Sequence, residues 1–279
     1  MKSVLITGCS SGIGLETALQ MQARGWRVFA SCRREADVLR LQALGLRTLK
    51  LDVNSSEDIT AALAAVAAET GGTLDALFCN AGYGQTGAVE DIPRAALREQ
   101  FETNVFGTWE CIAEAMKLFR RQGYGRILVN SSILGFAAMP WRGAYNSSKF
   151  ALEGLCDTLR HETEGSGIRV VLVEPGPVAT RFRPNALLKF RQYIDADHSV
   201  HRLAYQAQLR RLQTEGDAAP FTVSAAACAA VCVQALTTPK PRRRYLVTRP
   251  TVWFWYLKRL LPTALFDRLL RGAVKGQGK

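Results

Sequence analysis

The sequence lacks the cysteine patterns that mark metal-binding or disulfide-stapled proteins. It contains seven cysteines, spread from Cys9 to Cys232, and no Cys-x-x-Cys pair. An odd number at irregular spacing cannot form a complete disulfide framework, and it suits a reducing compartment. Cys228 and Cys232 are four residues apart, the spacing of one helix face, which favours two small buried apolar side chains over a metal site.

Histidine is also scarce, with three residues in the chain. His198 and His201 are three residues apart, but no cluster of carboxylates or cysteines accompanies them, so we predict no metal site. His161 stands alone in a helical pattern, and we expect it at the surface.

Long hydrophobic runs are absent, and none approaches the ~18 residues of a membrane span. The longest candidate, residues 252–257, ends at Lys258. At the N-terminus the apolar run 3–7 is too short for the hydrophobic region of a signal peptide. Together with the unpaired cysteines, these absences predict a cytoplasmic protein.

What is present is the composition of an ordinary globular protein. The chain has 279 residues, of which 48% are hydrophobic and 22% are charged. A chain of this length can bury most of its apolar surface without disulfides, which excludes disordered, collagenous and disulfide-stapled proteins. The length allows one large α/β domain, which we place at residues 1–250.

The net charge of +12 is concentrated in the last third of the chain. From Pro239 to Lys279, eleven Lys or Arg residues face a single acidic residue, Asp267, whereas the first 180 residues are nearly neutral. A basic patch of this kind suits nucleic acid or an anionic membrane surface. No nucleic-acid recognition motif accompanies it, so we predict that the protein does not bind nucleic acid.

Short apolar segments alternate with helical patterns over the first 180 residues. The predicted strands are 4–6, 27–31, 48–51, 76–79, 126–130 and 169–173, the predicted helices are 13–23, 59–68, 104–120 and 144–164, and 244–247 is a candidate last strand. Such alternation is typical of parallel βαβ units with right-handed crossovers. The expected fold is α/β: a single doubly wound Rossmann-type parallel sheet of about seven strands, with helices on both faces.

A glycine-rich turn follows the first strand and opens a helix. Its glycines would let the backbone approach a pyrophosphate, and the helix N-terminus adds N–H donors and positive potential. The spacing Gly-x3-Gly-x-Gly differs from Gly-x-Gly-x-x-Gly, and a plain tight turn is the alternative. The residues of the turn that we predict to bind a dinucleotide are Gly8, Ser10, Ser11, Gly12, Ile13 and Gly14.

The end of the second strand indicates which dinucleotide is bound. An acidic residue about 20 positions past the loop would bind the ribose 2′-hydroxyl of NAD. Cys32 occupies that position, and Arg33 and Arg34 follow it. A guanidinium can bind a 2′-phosphate through two hydrogen bonds. The sequence therefore predicts NADP as the cofactor, and a solvated arginine pair is the alternative.

Tyr145 and Lys149 are four residues apart in a helical pattern, so they share one face of the helix. A phenol with a pKa of ~10 is a poor acid or base at neutral pH. A nearby ammonium favours the phenolate and lowers that pKa toward the working range. The pair predicts a tyrosine that exchanges a proton with the oxygen of a carbonyl or an alcohol. An exposed helix pair is the alternative.

These motifs, in this order, resemble the short-chain dehydrogenase/reductase family over residues 2–180. The resemblance rests on Thr7-Gly8-x3-Gly12-Ile13-Gly14, Asp52-Val53, Asn80-Ala81-Gly82, Asn104, Ser132, Tyr145-x3-Lys149 and Pro175-Gly176-x-Val178-x-Thr180. Many NADP-binding members carry a basic residue just before the second motif glycine. Ser11 stands there in this chain, so the NADP prediction rests mainly on Arg33.

The resemblance implies four catalytic residues. Tyr145 would transfer the proton and Ser132 would hydrogen-bond the substrate oxygen. Lys149 would also hold the nicotinamide ribose hydroxyls. Asn104 would anchor a water that links Lys149 to solvent as a proton relay.

The resemblance also implies the rest of the cofactor site. Asp52 would bond the adenine edge, with Val53 beside it. The segment of Asn80, Ala81 and Gly82 would support the sheet next to the cofactor. The residues that would line the nicotinamide are Pro175, Gly176, Val178 and Thr180.

The segment 181–220 is expected to form a substrate lid. It reads as mixed helix and loop, and it carries nine leucine, phenylalanine or tyrosine side chains. Local patterns resemble the branch of hydroxysteroid and retinol dehydrogenases and bacterial NADP-dependent aldehyde reductases. The resemblance implies a lipophilic aldehyde, ketone or alcohol as substrate, and a homodimer or homotetramer. We expect reduction to be the direction in cells, because cells keep NADPH reduced.

The C-terminal extension, residues 251–279, is aromatic and then basic. The run 253–256 is Trp-Phe-Trp-Tyr, Lys258 and Arg259 follow, and residues 264–271 continue as an amphipathic helical pattern. Trp and Tyr favour the headgroup level of a membrane, where Lys and Arg meet phosphates. The extension therefore predicts peripheral contact with an anionic membrane. Packing of the aromatics against the domain or a partner subunit is the alternative.

Other functions remain open at this point. A non-catalytic NADP-binding regulatory protein of the same fold would typically lack Tyr145 or Lys149, and both are present. A sugar epimerase or dehydratase would use the same pair, usually with a Gly-x-x-Gly-x-x-Gly loop that this chain lacks. The predicted function is an NADP(H)-dependent oxidoreductase that interconverts a lipophilic aldehyde or ketone and the alcohol.

Overall fold

The computed structural model describes residues 1–214, 216 and 219–275. Positions 215, 217 and 218 of the predicted lid and 276–279 of the predicted extension, Lys279 among them, lie outside the described residues. In chain order the strands are β1 Ser3–Ile6, β2 Arg27–Cys32, β3 Arg47–Lys50, β4 Ala76–Cys79, β5 Gly125–Asn130, β6 Ile168–Glu174, β7 Val178–Ala179, β8 Val223–Ser224 and β9 Arg244–Leu246.

Seven strands form one parallel sheet in the order β3-β2-β1-β4-β5-β6-β9. Val4 of β1 lies between Val28 of β2 and Ala76 of β4. The chain first winds outward from β1 to β3, and it then returns to continue from β4 on the other side. This reversal makes a crevice at the carboxyl ends of β1 and β4, where ligands bind in open α/β sheets. The predicted doubly wound sheet of seven strands is confirmed.

Helices cover both faces of the sheet. They are α1 Gly12–Gln22, α2 Glu35–Ala43, α3 Ser56–Thr70, α4 Arg94–Phe101, α5 Gly107–Gln122, α6 Gly143–Glu162, α7 Phe182–Tyr193, α8 Arg202–Gln213, α9 Ala225–Thr237, α10 Arg249–Leu260 and α11 Thr263–Lys275. Along β1, Leu5 packs with α3 and α5, whereas Val4 and Ile6 pack with α1 and α9. Successive side chains of a strand point to opposite faces, so an entirely apolar strand fills two cores.

The predicted helix 104–120 begins in the wrong place. A π-helical turn, Glu102–Phe106, follows α4, and α5 begins at Gly107. The Asn104 amide is fully buried and bonds to the backbone of Tyr83, whose O and N lie 3.0 and 3.1 Å away. These tertiary hydrogen bonds stabilise the wider turn, and π-turns of this kind concentrate at functional sites.

The sequence analysis did not predict the bounds of helix α9, but it did place Cys228 and Cys232 on one face of a helix. Cys228 and Cys232 are buried on this helix, as the apolar interpretation predicts. All seven cysteines are free and buried. Within the described residues, no helix is long and apolar enough to cross a membrane.

Candidate active site

The glycine-rich turn lies at the crevice and is held against the end of β4. Gly8 and Gly12 have φ of 71° and 61°, a backbone region that favours glycine. A Cβ on Gly8 would come within 2.8 Å of the Ala81 Cα. The Thr7 hydroxyl accepts hydrogen bonds from the backbone N of Asn80 (2.9 Å) and of Ala81 (3.0 Å). Hydrogen bonds and close packing within the chain therefore hold the turn in place.

Asn80 connects the turn to the neighbouring strand. Its Nδ2 donates to the carbonyl oxygens of Thr7 (2.9 Å) and Gly8 (3.1 Å), and its Oδ1 accepts from Asn130 Nδ2 (3.0 Å). A Cβ on Gly14 would come within 2.5 Å of the Asn80 amide nitrogen. These contacts agree with the supporting role that the resemblance implied for the Asn80–Gly82 segment.

The N-terminus of α1 faces the crevice. Ser11 precedes the helix, and its side chain makes no capping hydrogen bond to any described residue. The first N–H groups of α1 are thus available to an anion. The Ser10 carbonyl accepts a hydrogen bond from Arg40, a residue of α2 that the sequence analysis missed. An arginine that bonds a loop across thirty residues leaves no local pattern.

The two arginines that follow β2 differ in their contacts. Cys32 is buried, whereas Arg33 and Arg34 are exposed. Arg34 forms an ion pair with Asp37 at 2.7 Å, and Arg40 donates to the same carboxylate at 3.2 Å. Arg33 forms no ion pair with any described residue, which leaves it as the cation available for a 2′-phosphate.

Asp52 and Val53 follow β3 at the same edge of the sheet. The Asp52 carboxylate is half-buried and accepts from the backbone N of Asn54 at 3.1 Å. Val53 is buried, and its carbonyl packs against Gly107 at the start of α5, where a Cβ would collide with it. Val53 thus links the adenine side of the predicted site to the core.

The structure brings Ser132 and Tyr145 together. Ser132 follows β5 and accepts from the backbone N of Leu134 at 3.1 Å. Ser132 lines the same cavity as Tyr145, which is buried on α6. Burial raises the pKa of Tyr145 to about 12, while the polar side chain of Ser132 and the charge of Arg142 act in the opposite direction. The sequence analysis expected Lys149 to lower the pKa of Tyr145, but in the structure burial raises it.

Lys149 lies one turn along α6 from Tyr145. Its Nζ donates to the Asn130 carbonyl at 2.7 Å and lies 5.6 Å from the centroid of the Tyr145 ring. Burial lowers the pKa of Lys149 to about 8, and the charge of Glu153 opposes this effect. The ammonium is engaged with a backbone oxygen, and burial disfavours its charged form. Burial therefore has a larger effect on the pKa of Tyr145 than the ammonium has.

Asn104 lies behind these residues. Its Nδ2 donates to the Ser148 hydroxyl at 3.1 Å as well as to the Tyr83 carbonyl. Ser148 in turn donates to the Tyr145 carbonyl at 2.8 Å. Asn104 therefore supports the first turns of α6 beside Tyr145 and Lys149.

The loop after β6 folds back over the crevice. A Cβ on Gly12 would come within 3.0 Å of the Thr180 methyl group, and a Cβ on Gly176 would collide with Thr248. Pro175, Gly176, Val178 and Thr180 line the same cavity as Tyr145. This loop and the glycine-rich turn therefore lie on either side of one groove at the crevice.

The cavity has a volume of about 560 Å³. It contains ten of the predicted site residues, namely Ile13, Asn80, Gly82, Ser132, Tyr145, Lys149, Pro175, Gly176, Val178 and Thr180. Its outer wall is apolar: the Phe182 ring lies 5.2 Å from that of Tyr145, and Phe221 lies 5.4 Å from Trp253. The remaining predicted cofactor residues lie along the same sheet edge without lining this cavity. The volume is typical of small-molecule sites.

The C-terminal helices pack on the segment that follows β5 and on Tyr145. Phe266 and Leu270 of α11 are buried in one cluster with Tyr145, and the Trp255 ring of α10 meets that of Phe136 edge-on at 5.1 Å. Three side chains of α10 remain exposed, with exposed fractions of 51% for Trp253, 60% for Tyr256 and 76% for Leu260. The aromatic run thus has one face on the domain and another that is uncovered.

The histidines take no part in this site. His198 and His201 bond to Asp195 and Glu90 respectively, and His161 is exposed as expected. No cluster of potential metal ligands occurs in the described part of the chain.

Comparison with known proteins identifies the family. Residues 2–189 match the family described as short chain dehydrogenase. The chain is 40% identical over 271 residues to the uncharacterized oxidoreductase YbbO of Escherichia coli, covering 97% of this chain and 94% of that protein. It is 35% identical over 260 residues to human 17-beta-hydroxysteroid dehydrogenase type 1, covering 88% and 77%.

A solved structure has the same architecture. The short-chain dehydrogenase/reductase from Burkholderia phymatum in complex with NAD superposes with a TM-score of 0.75 at 26% identity, covering 93% of this chain and 92% of that one. The expected family and the likeness to hydroxysteroid dehydrogenases are confirmed. The chain is an oxidoreductase that belongs to the short-chain dehydrogenase family.

Proposed function

We propose that the protein is an NADP(H)-dependent enzyme that reduces a lipophilic aldehyde or ketone to the alcohol. The observation that carries the proposal is that Ser132, Tyr145 and Lys149 together line one cavity, which the loop after β6 also borders. When bound, the cofactor supplies the hydride to the carbonyl carbon. Ser132 holds the carbonyl oxygen, and Tyr145 donates a proton to it.

The phenol is in the protonation state that reduction requires. Burial raises the pKa of Tyr145 to about 12, so the residue holds its proton at neutral pH, and its donation depends on stabilisation of the phenolate that forms. Lys149, with a pKa lowered to about 8, keeps most of its charge there. Its ammonium stabilises the phenolate that proton donation leaves behind.

The proton that Tyr145 donates must be replaced. We place this relay on Lys149 and on a water held near Asn104, whose amide already bonds to Ser148 beneath the catalytic turn. Asn104→Ala should slow turnover while the affinity for NADPH is retained. Equal losses in both would contradict the relay.

The test of the reaction is NADPH consumption, followed by absorbance, with long-chain aldehydes, retinal and ketosteroids. Tyr145→Phe removes the proton donor, and kcat should fall by about 100-fold or more. Tyr124→Phe, an exposed tyrosine, is the matched control and should be unaffected. Activity that survives in Tyr145→Phe refutes the mechanism. NADPH binding without turnover of any substrate would favour the alternative, a non-catalytic regulatory protein.

Arg33 supports NADP over NAD as the cofactor, because it is exposed and outside any ion pair among the described residues. Arg33→Ala should weaken NADPH binding by about 10- to 100-fold, the worth of a charge-assisted contact, with little effect on NADH. Arg34→Ala should have a smaller effect, because Arg34 is engaged with Asp37. Equal losses for the two cofactors would overturn the proposal.

We also propose peripheral contact with an anionic membrane, through the uncovered face of Trp253, Tyr256 and Leu260 and the neighbouring basic residues. A triple serine variant of these exposed residues leaves the buried face of α10 intact. It should co-sediment with phosphatidylserine vesicles less than the unmodified chain does, and equal partition would end the idea. A homodimer or homotetramer, to be tested by light scattering, and a cytoplasmic location remain predictions.

A further inference from the structure

Glu153 connects the two segments that carry the proposed catalytic residues. It lies one helical turn after Lys149 on α6, and its side chain is buried. Its Oε1 accepts a hydrogen bond from the hydroxyl of Ser131, which follows β5 and directly precedes Ser132. One carboxylate therefore joins α6, which bears Tyr145 and Lys149, to the segment that bears Ser132.

The other oxygen of Glu153 is held by a cation. Its Oε2 forms an ion pair with Arg244 of β9, and the same guanidinium pairs with Glu174 of β6. Glu174 is fully buried, and β9 is paired with β6 in the sheet. Because two strands of the sheet anchor the guanidinium, its charge-assisted bond keeps the Glu153 carboxylate turned toward Ser131.

The packing around this hydrogen bond is close. Gly135 ends the short helical turn Ile133–Gly135, and a Cβ at this position would come within 2.7 Å of the Ser131 Oγ and 3.0 Å of the Glu153 Cγ. Heavy atoms that are not bonded to each other do not approach a Cβ this closely. Any side chain at position 135 would therefore displace one partner of the bond.

The place of Ser132 depends on how this segment is held. The Ser132 hydroxyl accepts from the backbone N of Leu134 within the segment, and the backbone N of Ile133 donates to the Pro175 carbonyl at 2.9 Å. In the proposed reaction the hydroxyls of Ser132 and Tyr145 must meet one carbonyl oxygen. An error of about 1 Å in such an arrangement can cost about 100-fold in rate.

We infer that Glu153 is a positioning residue that acts through Ser131 on Ser132. It keeps the Ser132 hydroxyl and the Tyr145 phenol at the spacing that one carbonyl oxygen requires. The inference rests on the proposed function, because it concerns the residues that would bind and protonate the carbonyl. The charge of the same carboxylate also opposes the effect of burial on the pKa of Lys149.

Ser131→Ala removes the hydrogen bond and leaves the ion pair between Glu153 and Arg244 in place. The single-turnover rate of NADPH oxidation, measured with an aldehyde that the unmodified chain reduces, should fall by about 10- to 100-fold. The Kd for NADPH, measured by fluorescence titration, should be retained. A retained rate, or a loss of rate and affinity together, would overturn the inference.

Asp157→Asn is the matched control for the network. It removes another ion-pair partner of Arg244, but Asp157 does not contact the segment that bears Ser132 through any hydrogen bond among the described residues. Its single-turnover rate should equal that of the unmodified chain. A loss as large as that of Ser131→Ala would show that the whole acidic group acts only on folding, and it would overturn the inference.

Gly135→Ala breaks the same bond from a third position and keeps both of its partners. The rate should fall as in Ser131→Ala, and the double variant should lose no more than the larger single loss, because both changes act on one contact. Gly154→Ala, where an added Cβ meets nothing within 4 Å, is the control. A loss confined to Ser131→Ala would mean that Ser131, which lines the cavity, acts on the ligand itself, and it would overturn the inference.

Tyr145→Phe separates this inference from the proposed function. If Tyr145→Phe is inactive while Ser131→Ala keeps the full rate, the positioning role fails and the carbonyl reductase stands. If no aldehyde or ketone is reduced, or Tyr145→Phe stays active, the proposed function fails and the inference falls with it. The Tm of each variant is measured by circular dichroism, and a rate loss that only follows the unfolded fraction at the assay temperature would overturn the inference.

Discussion

Arg244 pairs with three acidic residues, two of which are buried, and its replacement by methionine should destabilise the protein. The guanidinium forms ion pairs with Glu153, Glu174 and Asp157, the last at 2.6 Å. Glu174 is fully buried, and Glu153 also accepts a hydrogen bond from Ser131. Methionine keeps the apolar stem but leaves the carboxylates without their cation.

The size of the effect follows from this burial. Removal of one partner from a buried ion pair costs about 3–5 kcal/mol, because the remaining charge is left uncompensated. For a domain of this size, each ~1 kcal/mol lowers the Tm by about 2–4 °C. Arg244→Met should therefore lower the Tm by about 6–20 °C.

The loss should depend on pH. Burial and the charge of Glu153 raise the pKa of Glu174 above its usual range, and Arg244 opposes them. A folded carboxyl with a raised pKa binds a proton that the unfolded chain has released. Its contribution to stability is therefore complete below the unfolded pKa of ~4.3 and is lost as the pH rises through the folded pKa. Without Arg244 that pKa rises further, so the penalty should be larger at about pH 9, where Glu174 of the unmodified chain is ionised, than at about pH 5, where it is protonated.

Thermal unfolding followed by circular dichroism, at both pH values, measures this prediction. Arg243→Met, at an exposed neighbouring position, is the matched control and should change the Tm by no more than ~1–2 °C. An equal Tm for the two variants would refute the reasoning. A loss that is larger in acid than in alkali would refute the role of Glu174.

Three further predictions follow from the site and the core. Gly8→Ala should abolish NADPH binding, because a Cβ meets the Ala81 backbone at 2.8 Å; Gly25→Ala, at a similar φ of 75° but in open space, should cost only the local strain of about 1 kcal/mol. NADPH affinity, measured by titration, should weaken as the pH rises above about 8, since Lys149 then loses the proton that burial has made easier to remove; a flat profile would contradict this. All seven cysteines should resist a thiol reagent such as DTNB in the native protein and react after denaturation, because they are buried. Burial also raises the pKa of the thiols, that of Cys32 to about 11. Rapid labelling of the native protein would contradict this prediction and show that the core opens.

The sheet could be predicted because each strand is marked by a short, local sequence pattern. A strand such as 4–6 is an apolar run, and its side chains are buried on both faces of the sheet without depending on which helices cover it. The Tyr145–Lys149 pair could be predicted for the same reason, since a spacing of four fixes a shared helix face. The start of α5 could not, because the π-turn at Asn104 depends on hydrogen bonds to Tyr83, twenty-one residues earlier.

The electrostatics of the site could not be predicted from spacing alone. Lys149 is near Tyr145 as expected, yet burial has the larger effect on both groups, and the sequence does not state burial. Three arginines that line the cavity were also missed, namely Arg142, Arg183 and Arg211. They come from three separate regions of the sequence, and only the packing of α7 and α8 over the cavity brings them together. Arg40, which bonds to the glycine-rich turn, is a third case of a tertiary contact without a sequence pattern.

The position of α10 and α11 has a consequence for synthesis on the ribosome. The sheet is complete once Leu246 has emerged and paired with β6, but Phe254 and Phe266, which pack around Tyr145, are made later. A nascent chain can therefore assemble its sheet while the cavity at Tyr145 is still open to water on this side. We expect a chain that terminates before α11 to leave this wall of the cavity incomplete.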